Sequence, residues 1–265
     1  MHRVVPFVIV FAILAVVFGI LERLAPAVPG QPRWRADAKT DLAYWLFTPL
    51  VTRVLSQGAV IVAVSLLAIT VGHARDKAGI QAFVFHRTLL AEQPRALQLV
   101  ELLFVADAIG YWVHRAFHRG RLWAFHAVHH SSEHLDWLSA VRVHPVNEAL
   151  GKMAMVLPLI PFGFDLSVTL AVAPVLALYA IFVHANVRLT FGPLRWLIAT
   201  PQFHHWHHAR EPEAYNSNYA GEFPAVDALF GTLYLPAQRW PAQYGIDEHE
   251  PAGYLRQLVW PLHAV

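Results

Sequence analysis

The 265-residue sequence contains no cysteine, which excludes disulfide frameworks, iron–sulfur clusters and thiolate zinc sites. Charged residues are also scarce, at 14% of the chain, where an ordinary soluble domain has about 25%. The formal net charge of +2 is too small to indicate a nucleic-acid partner. No GxGxxG, P-loop or haem-attachment pattern occurs, so the chain carries no recognisable motif for a nicotinamide, flavin, nucleotide or covalent haem.

Apolar residues are abundant instead, at 56% of the chain, and the mean hydropathy is +0.41. The first apolar run extends without a charge from Val4 to Leu21. This length approaches the roughly 20 residues that cross a bilayer, and it is long for the core of a signal peptide. We therefore expect a retained first transmembrane helix.

Further apolar runs cover residues 58–72, 96–113 and 153–186. The last run is interrupted by the sequence PLIPFGFD, whose prolines and glycine favour a turn. We expect it to form a hairpin of two short legs, and we expect polar connectors over 22–57 and 73–95. Since no strand alternation is present, the sequence predicts an all-α, multi-pass membrane bundle of about four spans or hairpin legs, with a helical cap beyond residue 187.

Seventeen histidines are the compositional outlier, and many fall in the three segments HRAFH, HAVHH and HHWHH. Positions i, i+3 and i+4 of a helix lie on one face, whereas His205 points about 100° away from His204. This spacing predicts eight ligands: His114, His118, His126, His129, His130, His204, His207 and His208. Neutral imidazole is the commonest metal ligand, and one zinc takes about four ligands, so eight histidines indicate two metals.

His184 closes the 153–186 run where the chain returns to the other histidines, and we expect it to be a ninth ligand. His144 could approach the site, but ligation by it is the less favoured interpretation. The remaining histidines lack partners at ligand spacing and are expected to be ordinary surface or interface residues: His2, His73, His86, His134, His249 and His263.

Asp107 and Tyr111 form one helical stripe with His114 and His118. An acidic residue inside a spanning segment is costly and usually functional. Because metal-bound histidines commonly donate their second N–H to a carboxylate, we predict catalytic roles for Asp107 and Tyr111, with Asp107 orienting a ligand. The alternative is a carboxylate used only for helix packing or at the membrane interface.

The sequence resembles the fatty acid hydroxylase/sterol desaturase superfamily of membrane di-iron enzymes. The resemblance covers roughly residues 105–236 and rests on DAIGYWVHRAFH, LWAFHAVHHSSE, RVHP, FVHANVRLTFGPL, TPQFHHWHH and NYAGEFPAVDALFGTLYLP. The last three segments look most like bacterial sterol desaturase-like proteins and alkylglycerol monooxygenase. The acidic residue that usually follows HPx directly is displaced here, where Asn147 precedes Glu148, so a role for Glu148 stays open.

The resemblance implies two iron ions at the nine histidines, O2 as co-substrate, and hydroxylation or desaturation of a fatty-acyl, sterol-like or ether lipid. It implies a catalytic region over 96–236, between an N-terminal transmembrane region at 1–95 and a tail at 237–265. It places Asn218 and Asp227 on motif positions, where we expect them to brace the cap. We expect a bacterial inner membrane or an ER-type membrane, with the metal site at the cytoplasmic face.

The electrons would come from an external donor: a ferredoxin, a cytochrome b5-type protein or a reduced pterin. Arg119, Arg121 and Arg142 could dock an acidic carrier, or they could be ordinary positive-inside arginines. Four aromatic residues could line an entrance or act as interfacial anchors: Trp112, Trp123, Phe125 and Trp206. A membrane zinc hydrolase and a metal transporter are the alternative functions for the same histidines.

Overall fold

The computed structural model describes residues 4–32, 34–237, 239–248 and 250–263. Within these residues the regular structure is helical, and the only β-pairings are two isolated bridges, Pro26–Val187 and Ala209–Tyr244. The α-helices are α1 (Val4–Leu24), α2 (Ala38–Phe47), α3 (Arg53–Thr70), α4 (Lys77–Val84), α5 (Arg95–Phe117), α6 (Gly120–His130), α7 (Pro145–Leu159), α8 (Leu166–His184), α9 (Pro201–His207), α10 (Pro224–Leu229) and α11 (Tyr254–Val259). The predicted all-α class is confirmed.

Four helical stretches are long and apolar enough to cross a membrane: Val5–Leu24, Ala38–Thr70, Arg95–Phe117 and Leu166–His184. The first of these is nearly bare, since only 6% of its most apolar window is buried within the protein. Such a large exposed apolar surface is typical of helices that are covered by lipid. Helix α7 has 15 residues and packs against α3 and α5, so it forms the shorter leg of the bundle.

The second spanning stretch joins α2 to α3 through a π-helical turn at Thr48–Thr52. Pro49 lies in this turn, where the missing N–H of proline disrupts the regular hydrogen-bond ladder. The predicted polar connector at 22–57 is therefore wrong from residue 38 onward. Sequence reasoning missed this part because charged and polar residues interrupt the apolar run. Asp41, Thr52 and Ser56 are buried, whereas Lys39 and Arg53 are exposed.

The predicted hairpin within 153–186 is confirmed. A 3₁₀ turn at Ile160–Phe162 follows α7, and Gly163 adopts a left-handed conformation with φ of 59°. A Cβ atom at Gly163 would lie 2.8 Å from Thr88 Cγ2, so the close approach of the neighbouring connector also requires glycine. The Asp165 side chain then caps α8 by accepting a hydrogen bond from the Ser167 N–H at 2.8 Å.

The hairpin turn lies at one end of the helical bundle, and the cap lies at the other. Gln98, near the start of α5, accepts a hydrogen bond from the Asp165 N–H at 3.1 Å, so α5 begins beside the hairpin turn. The end of α5, the beginning of α7 and the end of α8 therefore meet at the opposite end, which carries the cap. The C-terminal region also lies there, because Tyr254 stacks on Phe47 with ring centroids 4.9 Å apart.

Candidate metal centre

The nine predicted histidines lie together in two adjoining groups. Group one contains His114, His118, His126, His130 and His207. Group two contains His129, His184, His204 and His208. Within each group the candidate ligand nitrogens all lie within 4.8 Å of one another, and the rings of His130 and His208 connect the groups with centroids 4.2 Å apart. This arrangement matches a pair of neighbouring metal ions.

The division between the groups follows from helix geometry. Residues i and i+4 point in nearly the same direction, so His126 and His130 share group one. His129 is rotated away from this pair and lies in group two. The HHWHH segment shows the same division with the groups exchanged. His204 and His208 lie in group two, and His207 lies in group one.

Five of these rings use Nδ1 to contact an oxygen acceptor. The pairs are His114 with Tyr219 O (2.8 Å), His126 with Asn147 Oδ1 (3.0 Å), His129 with Arg142 O (3.1 Å), His184 with Ala180 O (2.6 Å) and His207 with Ser217 O (2.8 Å). A carbonyl oxygen only accepts, so each Nδ1 must carry the proton. Each Nε2 is thereby left with a free lone pair, which is the form that binds a metal.

Some of these lone pairs face each other directly. The Nε2 atoms of His114 and His126 are 3.1 Å apart, as are those of His129 and His184. Two acceptors at this distance repel each other unless a cation lies between them. The buried Nε2 atoms of His118 and His207 have no hydrogen-bond partner. The donor set therefore fits metal ions, and imidazole nitrogens suit iron, zinc, copper and nickel.

Burial also keeps the cap histidines neutral. Loss of hydration, reinforced by the neighbouring imidazoles, holds the pKa of each ring well below its ordinary value of 6.5 for His118, His126, His129, His130, His204, His207 and His208. At neutral pH these rings carry no proton that a metal would have to displace from the free nitrogen.

Asp107 lies one layer away from the histidines. Its carboxylate accepts hydrogen bonds from the backbone N–H groups of Gly221 (2.7 Å), Glu222 (3.0 Å) and Phe223 (2.9 Å), and it makes none with a histidine. The expected direct contact with a ligand ring is therefore wrong, because the cap loop occupies the carboxylate. Burial and the neighbouring Asp107 carboxylate raise the pKa of Glu222 above its ordinary value.

Tyr111 is also removed from the ligands. It is fully buried, its hydroxyl contacts Thr232 Oγ1 at 2.9 Å, and that hydroxyl accepts a hydrogen bond from Arg115 Nη1 at 2.8 Å. Its ring packs edge-on against Tyr219, which in turn packs against His114. Tyr111 thus supports the residues behind group one, and a catalytic role for it stays a prediction.

The cap loop at 216–223 supplies the carbonyl groups that orient His114 and His207. Asn218 holds the loop by donating from Nδ2 to Phe203 O at 2.9 Å and Tyr234 O at 2.7 Å. Asp227 accepts from the N–H groups of Tyr219 and Ala220, each at 2.8 Å. Neither Asn218 nor Asp227 joins a histidine group, which agrees with the bracing role expected for both.

The structure shows which of the two residues after the HPx segment, Asn147 or Glu148, contacts a histidine of the site. Asn147 is the residue that reaches His126, while Glu148 turns away and forms an ion pair with Lys152 at 2.5 Å. Sequence reasoning missed Asn147 because it weighed only the acidic residue. His144 caps α7 by accepting from the Val146 N–H at 3.1 Å and does not reach the groups.

The predicted bystander His205 faces away from both groups. Its Nδ1 contacts the Tyr244 hydroxyl at 2.8 Å, and its Nε2 contacts Ala185 O at 3.0 Å. His2 and His249 lie outside the described residues. The remaining histidines, His73, His86, His134 and His263, belong to neither group.

A cavity of about 260 Å³ opens onto His118, His130 and His207 of group one. Trp123 forms part of its wall and donates from Nε1 to Glu248 Oε1 at 3.0 Å, so the C-terminal region helps to close it. Trp123 is the one of the four aromatic candidates that lines this cavity. The other three do not: Trp112 is half exposed on α5, Phe125 packs against His144, and Trp206 is buried in the cap.

The three predicted docking arginines also differ. Arg119 and Arg121 are exposed, so a docking role for them stays a prediction. Arg142 is 1% exposed, and its Nε donates to Asp41 Oδ1 at 2.6 Å. Arg142 therefore cannot dock a carrier. It braces the site instead, because its backbone oxygen accepts from His129.

A sequence model of the fatty acid hydroxylase family matches residues 99–232, which is half of the chain and includes all nine histidines. The chain belongs to this family. The predicted resemblance is confirmed, and relatives named as lipid hydroxylases and monooxygenases support an O2-dependent lipid oxygenase. No solved structure matches the chain.

Three relatives illustrate the range of similarity. The ornithine lipid hydroxylase OlsE of Rhizobium tropici is 30% identical over 258 residues, covering 96% of this chain and 75% of that protein. Alkylglycerol monooxygenase of Xenopus tropicalis is 34% identical over 139 residues, covering 50% of this chain and 30% of that protein. A very-long-chain aldehyde decarbonylase of Oryza sativa is 32% identical over 201 residues, covering 69% of this chain and 31% of that protein. The last two similarities span only a part of those longer proteins.

Proposed function

We propose that the protein holds one iron ion in each histidine group and uses O2 and external electrons to hydroxylate or desaturate a membrane lipid. The observation that carries this proposal is the pair of adjoining groups, in which buried imidazoles turn free Nε2 lone pairs toward one another. Two ions sharing one pocket suit O2 chemistry. The zinc-hydrolase alternative needs only about three protein ligands, and family membership favours the oxygenase.

Bound ferrous ions would supply the electrons and the binding positions with which O2 is activated toward a C–H bond. The residues of the chain hold and tune that centre. The backbone oxygens of Tyr219, Ser217 and Arg142 fix the ring orientation and the tautomer of three ligands. The aromatic and aliphatic side chains packed behind α9 exclude bulk water from the far side of the histidines.

The cavity beside His118, His130 and His207 gives small molecules access to group one. Its remaining wall is mixed, with Tyr215, Asn216 and Asp247 beside the apolar Ala209 and Ile246. We propose an external donor, a ferredoxin, a cytochrome b5-type protein or a reduced pterin, that delivers electrons on this cap side. We further propose that the cap faces the cytoplasm.

For the substrate, ornithine lipid is the first compound to assay, because the relative named for its hydroxylation covers 96% of this chain. Ether lipids are the second, through the shorter similarity to alkylglycerol monooxygenase. Lipid extracts from a host that makes ornithine lipid, with and without the protein, are compared by mass spectrometry. Gain of one oxygen atom indicates hydroxylation, and loss of two hydrogen atoms indicates desaturation.

Metal analysis of the purified protein accompanies the lipid comparison. We expect about two irons per chain in the parent protein. His129→Ala should lose iron, and it should also lose lipid oxidation. His263→Ala is the matched control, because His263 is exposed and lies outside both groups. One zinc per chain with no oxidised lipid would contradict the proposal and favour the hydrolase.

A further inference from the structure

A second cavity, of about 530 Å³, lies between α1, the segment that follows it and residues 136–138, apart from the cavity beside group one. On one wall, Phe11, Ala15, Gly19 and Glu22 follow one another along α1. Asp136 and Trp137, in the segment between α6 and α7, also line the cavity. The cavity is twice as large as the one beside the histidines, and it borders a spanning helix whose surface is largely exposed.

The wall formed by α1 changes from apolar to charged along the helix. Phe11 and Glu22 are eleven positions apart, which is about 16 Å along an α-helix. Phe11, Ala15 and Gly19 lie within the spanning stretch, and Glu22 and Arg23 lie in its last turns before Leu24. The charged end is therefore at the membrane–water boundary on the cap side, at the depth of lipid headgroups.

Glu22 has one oxygen committed to the protein and one that is free. Oε1 accepts hydrogen bonds from the backbone N–H groups of Trp137 at 3.0 Å and Asn186 at 2.9 Å. Oε2 has no hydrogen-bond donor among the described residues. Asp136, the other carboxylate of the cavity, is already neutralised, because Arg35 donates to both of its oxygens at 3.0 and 2.7 Å.

Arg23 supplies the opposite charge. Arg23 lines the same cavity, is exposed, and forms no ion pair or side-chain hydrogen bond with the rest of the described chain. The cavity thus presents one uncommitted carboxyl oxygen and one uncommitted guanidinium above an apolar groove. An anionic headgroup without an ammonium group would leave the Glu22 oxygen without a donor, and an uncharged sterol would leave the Arg23 guanidinium without an anion.

We propose that this cavity binds a zwitterionic membrane lipid, with the ammonium group of its headgroup at Glu22 and the phosphate near Arg23. One acyl chain would lie along Gly19, Ala15 and Phe11. Asn186, which shares the Glu22 carboxylate, follows His184 by two positions, so the bound headgroup would lie beside group two. The proposal concerns lipid binding and does not depend on the metal or the reaction.

Two substitutions separate the apolar and the charged parts of the site. A Cβ atom built on Gly19 meets no atom within 4 Å, so Gly19→Leu would fill the groove without a clash and with a better helix former. Gly58→Leu is the matched control, since Gly58 is also helical, is equally open and does not line this cavity. Glu22→Gln keeps an oxygen for the two backbone N–H groups and removes only the charge.

The test measures lipid retention by native mass spectrometry after incubation with mixed vesicles of phosphatidylethanolamine and phosphatidylglycerol that carry identical acyl chains. We expect the parent protein and Gly58→Leu to retain phosphatidylethanolamine over phosphatidylglycerol by roughly tenfold or more, the value of a charge-assisted contact. Glu22→Gln should bring this ratio close to one, and Gly19→Leu should lose the bound lipid.

Circular dichroism and metal content establish that each variant is folded. Equal retention of the two lipids by the parent protein would overturn the proposal. So would a Gly19→Leu protein that binds as much phosphatidylethanolamine as Gly58→Leu. If Gly19→Leu does not fold, the headgroup ratio of Glu22→Gln decides alone, and a ratio unchanged from the parent protein would refute the assignment.

Discussion

Metal removal should destabilise this protein far more than the loss of a surface ion would. In the metal-free state the free Nε2 lone pairs of His114 and His126 remain 3.1 Å apart, and those of His129 and His184 face each other at the same distance. The rings cannot turn to relieve this repulsion without giving up the hydrogen bonds made by their Nδ1 atoms. Bound cations convert both contacts from repulsive to attractive.

The magnitude follows from mass action. A ligand present at about 100 times its Kd stabilises the folded state by about 2.7 kcal/mol, so two ions contribute about 5 kcal/mol. For a chain of this size each kcal/mol corresponds to roughly 2–4 °C in the unfolding midpoint. Chelation should therefore lower the midpoint by about 10–20 °C, and anaerobic Fe²⁺ should restore it.

The assay is thermal unfolding followed by intrinsic tryptophan fluorescence in detergent, at one fixed scan rate because the midpoint of an irreversible transition depends on that rate. His118→Ala removes a ligand from group one only, and should lose about half of the Fe²⁺-dependent shift. His263→Ala should retain the whole shift. A midpoint that is unchanged after the ions have been stripped, or an equal loss in His263→Ala, would refute the reasoning.

Two further predictions concern residues outside the ligand set. Asn147→Leu removes the acceptor for His126 Nδ1, so metal affinity at group one should fall by about 10–100-fold in equilibrium dialysis. Asn147→Asp keeps an acceptor and should retain its metal. Equal metal loss from both variants would contradict this prediction. Burial raises the pKa of Glu250 from 4.5 to about 8, while Ser131 and Arg142 lower it by smaller amounts. Its contribution to stability is therefore complete below pH 4.5 and is lost as the pH rises through 8, by at most about 1.4 kcal/mol per pH unit. Proteolysis of the C-terminal region should accelerate between pH 4.5 and 8 in the parent protein, level off above that range, and accelerate much less in Glu250→Gln. Equal acceleration in both proteins would contradict this prediction.

The histidine set could be predicted because its information is local. Helical spacing places i, i+3 and i+4 on one side, and imidazole chemistry explains why such residues would gather. The hairpin was predictable for a similar reason, since a proline and glycine break within an apolar run admits few other conformations. The division into two groups was not predictable, because the side of each helix that meets each ion depends on how α6 and α9 are rotated against each other.

The supporting contacts were hidden because they are distant in sequence. The Asp107 side chain meets N–H groups 114–116 positions away, and no pattern around Asp107 indicates which loop will cover it. Arg142 has a sequence environment that is indistinguishable from that of an exposed interfacial arginine. Its carboxylate partner lies 101 positions earlier, on a part of the chain that reads as a connector.

That partner shows how far the metal centre extends beyond the matched family region. Asp41 precedes residues 99–232, yet its carboxylate binds Arg142 Nε at 2.6 Å and Arg35 Nη2 at 2.5 Å. The Arg142 backbone oxygen in turn accepts from His129 at 3.1 Å. A fragment limited to 96–236 would keep all nine histidines but would leave the Arg142 guanidinium without Asp41, and an unpaired buried charge costs about 3–5 kcal/mol. The N-terminal region is therefore part of the support of group two, and the ligand motifs alone do not define the catalytic unit.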